Sequence, residues 1–196
     1  MKKCLCVILP FLVATLVQTG CSTTPPKPLY SAAGFQPESM DTVYILPVVD
    51  SRADKKLGLN VEPLQRIMFN DLKRKRYHVE VVRDRSLVDG INDEDLKNPT
   101  QDWVKAAGPT DARWVMVLAV TELSRKLTFG STANAEVVLV VLDKQTGTVV
   151  WRDKALGQAG QGGIIGMFMV SMMEDEAMNF AMYGIMVKFP KKPKGS

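Results

Sequence analysis

Few side chains in this chain are of the kinds that commonly perform catalysis, and histidine sets the first limit. His78 is the only histidine among the 196 residues. A zinc site with two histidines is therefore excluded, and a Ser-His-Asp triad would need this one imidazole as its base. The carboxylates Asp50, Asp54 and Glu122 follow predicted strands, where α/β sheets tend to place ligands. One hypothesis is therefore a small-ligand binder or hydrolase that uses these strand-end carboxylates and His78.

The amino terminus has the pattern of a secretion signal. Two lysines precede an apolar run from Leu5 to Val17, and the small residues Thr19 and Gly20 follow it. A helix that crosses a bilayer needs about 20 apolar residues, so this run is too short for a permanent span. Residues 1–20 are therefore predicted to be a signal peptide that is removed from the mature protein.

Cys21 follows directly, and the segment Thr19-Gly20-Cys21 resembles the lipobox of bacterial lipoproteins. The resemblance implies cleavage before Cys21 and a covalent diacylglyceryl and N-acyl lipid on this cysteine. Ser22 is not aspartate, which in such proteins implies transfer to the outer membrane, with the domain on the periplasmic face. Cys4 and Cys6 lie in the predicted signal peptide, so the mature chain lacks a pair of cysteines for an internal disulfide.

Composition divides the rest of the chain into three parts. Residues 21–41 are rich in proline, serine and threonine, and they are predicted to form a flexible tether. Residues 42–190 are long enough for a single domain with its own core, and residues 191–196 are a basic tail. The formal net charge is +4, which becomes +2 without Lys2 and Lys3. So small a surplus argues against a nucleic-acid partner.

Runs of apolar or alternating residues predict five strands. The first and third runs are apolar on both faces, which is typical of strands covered on both sides. The segment from Asp143 to Gly147 predicts a turn with a positive φ at Gly147, and therefore a hairpin between the last two strands. The five predicted strands are Val43–Val49, Tyr77–Val82, Trp114–Thr121, Ala133–Leu142 and Thr148–Lys154.

Helical spacing predicts an amphipathic helix that begins at Asn60 as its cap, and a second helix over Gln101–Ala107 that is closed by Gly108. A further helix is predicted near the carboxyl end. The fold class is therefore α/β, a three-layer-like mixed sheet in the order β-α-β-α-β-β-β-α. The first three strands are predicted to be parallel through right-handed crossovers, with an antiparallel hairpin added.

Three segments in this order resemble a known group of envelope proteins. They are Tyr44-Ile45-Leu46-Pro47-Val48, the run from Trp103 to Val117, and Val149-Val150-Trp151 after the turn, and Gly160-Gln161-Gly162-Gly163 also fits. The pattern is similar to the fold shared by the TolB amino-terminal domain and the curli-secretion lipoprotein CsgG. The resemblance implies an assembly, scaffold or export accessory at the outer membrane rather than an enzyme.

The glycines from Gly157 to Gly163 precede the last predicted helix. They lack the Lys-Ser/Thr pair of a phosphate loop and the spacing of a dinucleotide site. The segment is interpreted as a hinge, and an anion at the following helix amino terminus is the alternative.

The region from Gly163 to Phe189 is the segment most expected to carry function. Its first part is apolar on every face, although a surface helix in water normally has a polar side. Three interpretations remain open: core packing, a protein-protein surface, or a methionine site for Cu(I). The residues predicted to bind a partner or to self-associate are Ile164, Ile165, Met167, Phe168, Met169, Met172 and Met173.

These residues together favour a lipid-anchored, non-catalytic binding or assembly module of an outer-membrane-associated envelope or export complex. Its expected contacts are the membrane, through the lipid on Cys21, and a protein partner or a further copy. No metal and no cofactor besides that lipid is predicted. The alternative is a periplasmic small-ligand binder or hydrolase that uses the strand-end carboxylates and His78.

Overall fold

The structure is a computed structural model that describes residues 27–128, 130–163 and 170–194. None of the helices in these ranges is long and apolar enough to cross a membrane. The helices are α1 (Glu62–Arg74), α2 (Asp93–Lys97), α3 (Gln101–Ala106) and α4 (Val170–Lys188). The strands are β1 (Tyr30–Ser31), β2 (Thr42–Ile45), β3 (Val49–Asp50), β4 (His78–Val81), β5 (Trp114–Thr128), β6 (Gly130–Asp143) and β7 (Thr148–Gly162).

All the strands belong to one mixed sheet, in the order β1-β7-β6-β5-β2-β4, with β3 also beside β5. Strand β2 is parallel to both β4 and β5, and β3 is parallel to β5. Strands β5, β6 and β7 form an antiparallel meander. The prediction of parallel first strands is therefore right only in part, because the first strand along the chain, β1, is antiparallel to β7.

Helices cover the sheet on both faces, which makes three layers. Helices α1 and α4 pack on one face, around a core that includes Met68, Leu118, Leu139 and Met182. Helices α2 and α3 pack on the other face, against residues such as Val117. Burial from both sides explains why the central part of β5 is apolar at every position.

Several predicted boundaries are wrong for local reasons. The first predicted strand is divided into β2 and β3, because Pro47 between them has no N–H to donate to a ladder. Helix α1 begins at Glu62 after Val61, and not from a side-chain cap by Asn60. The polar stretch before α3 contains α2, which is held by a reciprocal capping box between Asn92 and Asp95.

The meander is longer than predicted at its free end. Strand β5 continues to Thr128, and β7 continues to Gly162 in register with Gly130. The interpretation of Gly157–Gly163 as a hinge is therefore wrong for residues 157–162, which are paired strand. The predicted turn is confirmed, because Gly147 has a φ of +72° between β6 and β7.

A close contact between α4 and β7 explains why Gly157 is a glycine. A Cβ atom at this position would lie 1.9 Å from the carbonyl oxygen of Ala177 and 2.5 Å from the backbone nitrogen of Ala181. Gly184 follows on the same side of α4, where an added Cβ would lie 3.3 Å from the Cβ of Ala155. Small residues on both elements thus allow the helix backbone to approach the strand backbone.

We expect Gly157→Ala to destabilise the fold by about 2 to 3 kcal/mol, because the clash is with helix backbone and cannot be relieved by a rotamer change. Gly162→Ala is the matched control, since a Cβ there meets nothing within 4 Å. Urea unfolding followed by circular dichroism measures both. Equal stability of the two variants would contradict the close contact.

Candidate functional site

Helix α4 has one face in the core and one face in water. Its buried face includes Met178, Met182 and Met186, which lie in the same core cluster as α1 and the sheet. For these three methionines the core-packing interpretation is therefore confirmed. Their burial follows from helical spacing, because residues four apart lie on the same side of a helix.

The opposite face of α4 carries large apolar side chains that nothing covers among the described residues. They are between 48 % and 67 % exposed. Aromatic and methionine side chains are enriched in the buried centres of protein interfaces. We call this set the α4 stripe, and it consists of Met172, Phe180, Tyr183 and Val187.

The residues predicted to bind a partner differ in their exposure to solvent. Met172 belongs to the α4 stripe, whereas Met173 is only 6 % exposed and packs in the core. Met173 is thus not available to a partner in this structure, because it points to the sheet side of α4. The other predicted partner-binding residues lie outside the described ranges, and they are Ile164, Ile165, Met167, Phe168 and Met169. Cys21, which is predicted to carry the lipid, also lies outside these ranges.

Sequence reasoning did not assign Phe180, Tyr183 and Val187 to a surface. A usable signal was present, because Ala177, Ala181 and Gly184 are small residues at helical spacing. Such a row allows close packing against another element, and it predicts that the large residues on the other side of the helix face away from the sheet.

Two of the three carboxylates predicted at strand ends line one cleft, although Glu122 lies within β5 and not at its end. Asp54 and Glu122 line a cleft of about 440 Å³ together with Arg52. Arg52 is only 4 % exposed, and its Nε and Nη2 donate to the two carboxylate oxygens of Asp50 at 2.7 and 2.8 Å. The hydrogen bonds from Arg52 hold the pKa of the Asp50 carboxyl below its usual 3.8. Asp50 is therefore a fixed counter-ion of a buried arginine and not a free base.

His78 lies far from these carboxylates. His78 is exposed and is the first residue of β4, where it pairs with Thr42 of β2. The next residue of β2, Val43, pairs with Trp114, which is the first residue of β5. Asp50 pairs with Val120, near the far end of the parallel strands. At about 3.3 Å per residue along β5, the two levels are about 20 Å apart. The hydrolase hypothesis needs these groups together, and the structure separates them.

No group of three or more His, Cys, Asp and Glu side chains is placed to hold a metal ion within the described parts of the chain. Glu174, in the first turns of α4, instead pairs with Arg125 of β5 at 3.5 Å. This ion pair joins the start of α4 to the free end of the meander.

Comparison with protein-family models finds no match, and comparison with curated proteins finds none. Solved structures of bacterial lipoproteins are similar in fold. Lipoprotein GNA1162 from Neisseria meningitidis is 14 % identical, with a TM-score of 0.46 over 71 % of this chain and 99 % of that chain. The LpoB carboxy-terminal domain from Escherichia coli is 15 % identical, with a TM-score of 0.39 over 66 % of this chain and 88 % of that one.

A PelC dodecamer from Paraburkholderia phytofirmans is also similar. Its chain is 15 % identical, with a TM-score of 0.44 over 78 % of this chain and 89 % of that chain. At these identities and scores the likeness concerns fold, and no functional conclusion follows from it.

We expect Asp50→Asn to cost about 2 kcal/mol of unfolding free energy at pH 7, because it leaves the buried Arg52 without its counter-ion. The pKa of Asp50 is lower in the folded chain than in the unfolded chain, so the pair stabilises the fold above about pH 4. This stabilisation is lost as the pH falls through the folded-state pKa, and the two proteins should then converge in stability.

Urea unfolding between pH 7 and pH 3 measures this difference. Asp54→Asn is the control, because Asp54 pairs with Lys56 on the surface and its loss should leave stability unchanged. A constant gap between Asp50→Asn and the unmodified chain over the whole pH range would contradict the assignment.

Proposed function

We propose that this chain is a lipid-anchored, non-catalytic binding module of the bacterial outer membrane, and that it engages another protein chain through the α4 stripe. The observation that carries the proposal is the stripe itself. Four large apolar side chains stand in water on a helix whose other face is fully occupied by the core. Covering them with protein removes apolar surface from water, which is favourable by about 25 cal/mol per Å².

The composition of the α4 stripe supports a protein partner. Phe180 and Tyr183 offer large rigid side chains, and Met172 adapts its shape to an opposing surface. Aromatic residues of this kind often contribute most of the binding energy at an interface. Of the carboxylates beside Arg52, Asp50 is held by Arg52, Asp54 pairs with Lys56, and Glu122 accepts a hydrogen bond from the Ser124 hydroxyl.

The lipid anchor rests on the amino-terminal sequence. Thr19-Gly20-Cys21 after a short apolar run supports lipidation of Cys21, and Ser22 supports transfer to the outer membrane. The segment between Cys21 and β1 then connects the lipid to the domain, which lies on the periplasmic face. The order of strands and helices supports membership of the group that includes the TolB amino-terminal domain and CsgG.

Replacement of Cys21 by alanine tests the anchor. We expect Cys21→Ala to abolish incorporation of radiolabelled palmitate and to release the chain from the membrane fraction. Ser22→Asp is the matched variant, because it keeps the lipid and should shift the chain from the outer to the inner membrane. Unchanged palmitate labelling of Cys21→Ala would overturn lipidation at this residue.

A charge placed in the α4 stripe tests the binding surface. We expect Phe180→Glu to remove the cross-linked species that this chain forms in intact cells, because a carboxylate buried in an apolar contact costs several kcal/mol. Val81→Glu is the control, since Val81 is an exposed apolar residue on the distant strand β4. Immunoblotting after formaldehyde treatment gives the readout.

Circular dichroism first confirms that both variants fold. Cross-linked species that survive Phe180→Glu, or that disappear equally in Val81→Glu, would count against the α4 stripe as the binding surface.

A further inference from the structure

The outer edge of β7 lies directly beside α4. Within the described residues β7 pairs with β6 along its length, but it pairs with β1 only at Trp151 and Arg152. From Lys154 to Gly162 its outer N–H and C=O groups have no strand partner in these residues. Such a row of unpaired groups is a template for another strand.

This edge lacks the features that normally protect a sheet edge. The outer edge of β5 from Glu122 to Thr128 carries three charged residues, and β4 is only four residues long. The nine residues from Lys154 to Gly162 contain one charge, at the first position, and no proline. Charges, prolines and short length are the usual protection against pairing, so β7 has the least protected edge in the described sheet.

The sequence before β1 interrupts a regular continuation of the β1–β7 ladder along this edge. The Ala32 N–H donates to the Val150 carbonyl at 2.9 Å. Because N–H groups in an antiparallel pair point to the partner at alternate residues, position 30, which pairs with Arg152, comes next, and positions 28 and 26 would have to donate after it. Both are proline and have no N–H. Among the described residues no strand continues this ladder, and this part of the edge is therefore open to a strand from another chain.

Helix α4 lies along the same border. Ala177 and Ala181 lie against Gly157, and Lys188 forms an ion pair of 2.8 Å with Asp153 further along β7. Helix α4 packs on both β7 and β6, and an axis midway between these two strands would lie about half a strand spacing inside the edge. A strand spacing is about 4.8 Å, so two copies joined through their β7 edges would place their α4 helices about 10 Å apart. Packed helices are usually about 8–10 Å apart.

We infer that a second copy of this chain binds at this border, with the two β7 edges paired antiparallel about a two-fold axis and the two α4 helices side by side. The inference rests on the proposed function and names the partner. A two-fold contact needs a surface that is complementary to itself. The edge of β7 from Lys154 to Gly162 meets this need, because Lys154 is its one charged residue. In an antiparallel pair the two copies of Lys154 would lie at opposite ends of the strands, about 25 Å apart, and would not repel each other strongly.

The first test removes one outward N–H from β7. By the same alternation Leu156 presents its N–H outward, and its side chain is exposed. Leu156→Pro removes that N–H and keeps the pairing with β6, whereas Leu156→Thr changes the side chain and keeps the N–H. In sedimentation equilibrium of the full chain in detergent, we expect a dimer whose dissociation constant rises at least about tenfold in Leu156→Pro. The Leu156→Thr value should stay within about threefold of the unmodified chain.

The second test does not depend on how the proline variant folds. Single cysteines at positions 156, 158 and 160 are oxidised with diamide in intact cells. Directly opposed residues of an antiparallel pair have Cβ atoms about 5 Å apart, so the position nearest the axis should give a disulfide-linked dimer. Val81→Cys on β4 is the control and should give none.

A full chain that stays monomeric, or a dimer that persists in Leu156→Pro without any disulfide at the three positions, overturns self-pairing. If the chain is monomeric while Phe180→Glu still removes the cross-linked species in cells, the self-pairing inference fails and the proposed function stands. If neither a dimer nor a species sensitive to Phe180→Glu exists, both fail.

Discussion

The close approach of α4 to β7 is the constraint on which the rest of the structure depends. Backbone can lie this near to backbone only because Gly157 has no side chain and because Ala177 and Ala181 have small ones. The contact fixes the rotation of α4 about its own axis. With its small residues and Met178 turned to the sheet, the helix must present Phe180 and Val187 to water. The same α4–β7 contact thus determines which side chains of α4 enter the core and which remain exposed.

Much of the fold could be predicted from periodicity, because burial on both faces makes β5 apolar at every position and the turn at Gly147 is local chemistry. Features that depend on a single backbone group were missed. Pro47 interrupts a run that is otherwise typical of one strand, and Asn92 with Asp95 caps a helix within a polar stretch. Gly157 is permissive by itself, so only its packing partner distinguishes a close contact from a hinge.

The candidate site was harder to predict, because exposure of an apolar side chain depends on what lies beside it. A sequence that is apolar on most faces near its carboxyl end does not show which methionines the core will take. Met173 and Met182 are buried, whereas Met172 is exposed. This difference follows from the position of α4 on the sheet. Asp54 and Glu122 do lie on one cleft, but the ion pair that Arg52 forms with Asp50, and the continuation of β5 beyond Glu122, could not be read from strand ends.

Amide hydrogen exchange of the full chain, measured in isolated outer membranes and in dilute detergent, tests most directly whether the border of α4 and β7 is the binding surface. The account predicts slower exchange in membranes than in detergent at the outward amides between Lys154 and Gly162, with the outer edge of β5 unchanged. Equal exchange of the β7 edge in both conditions, with protection at β4 or β5 instead, would contradict it.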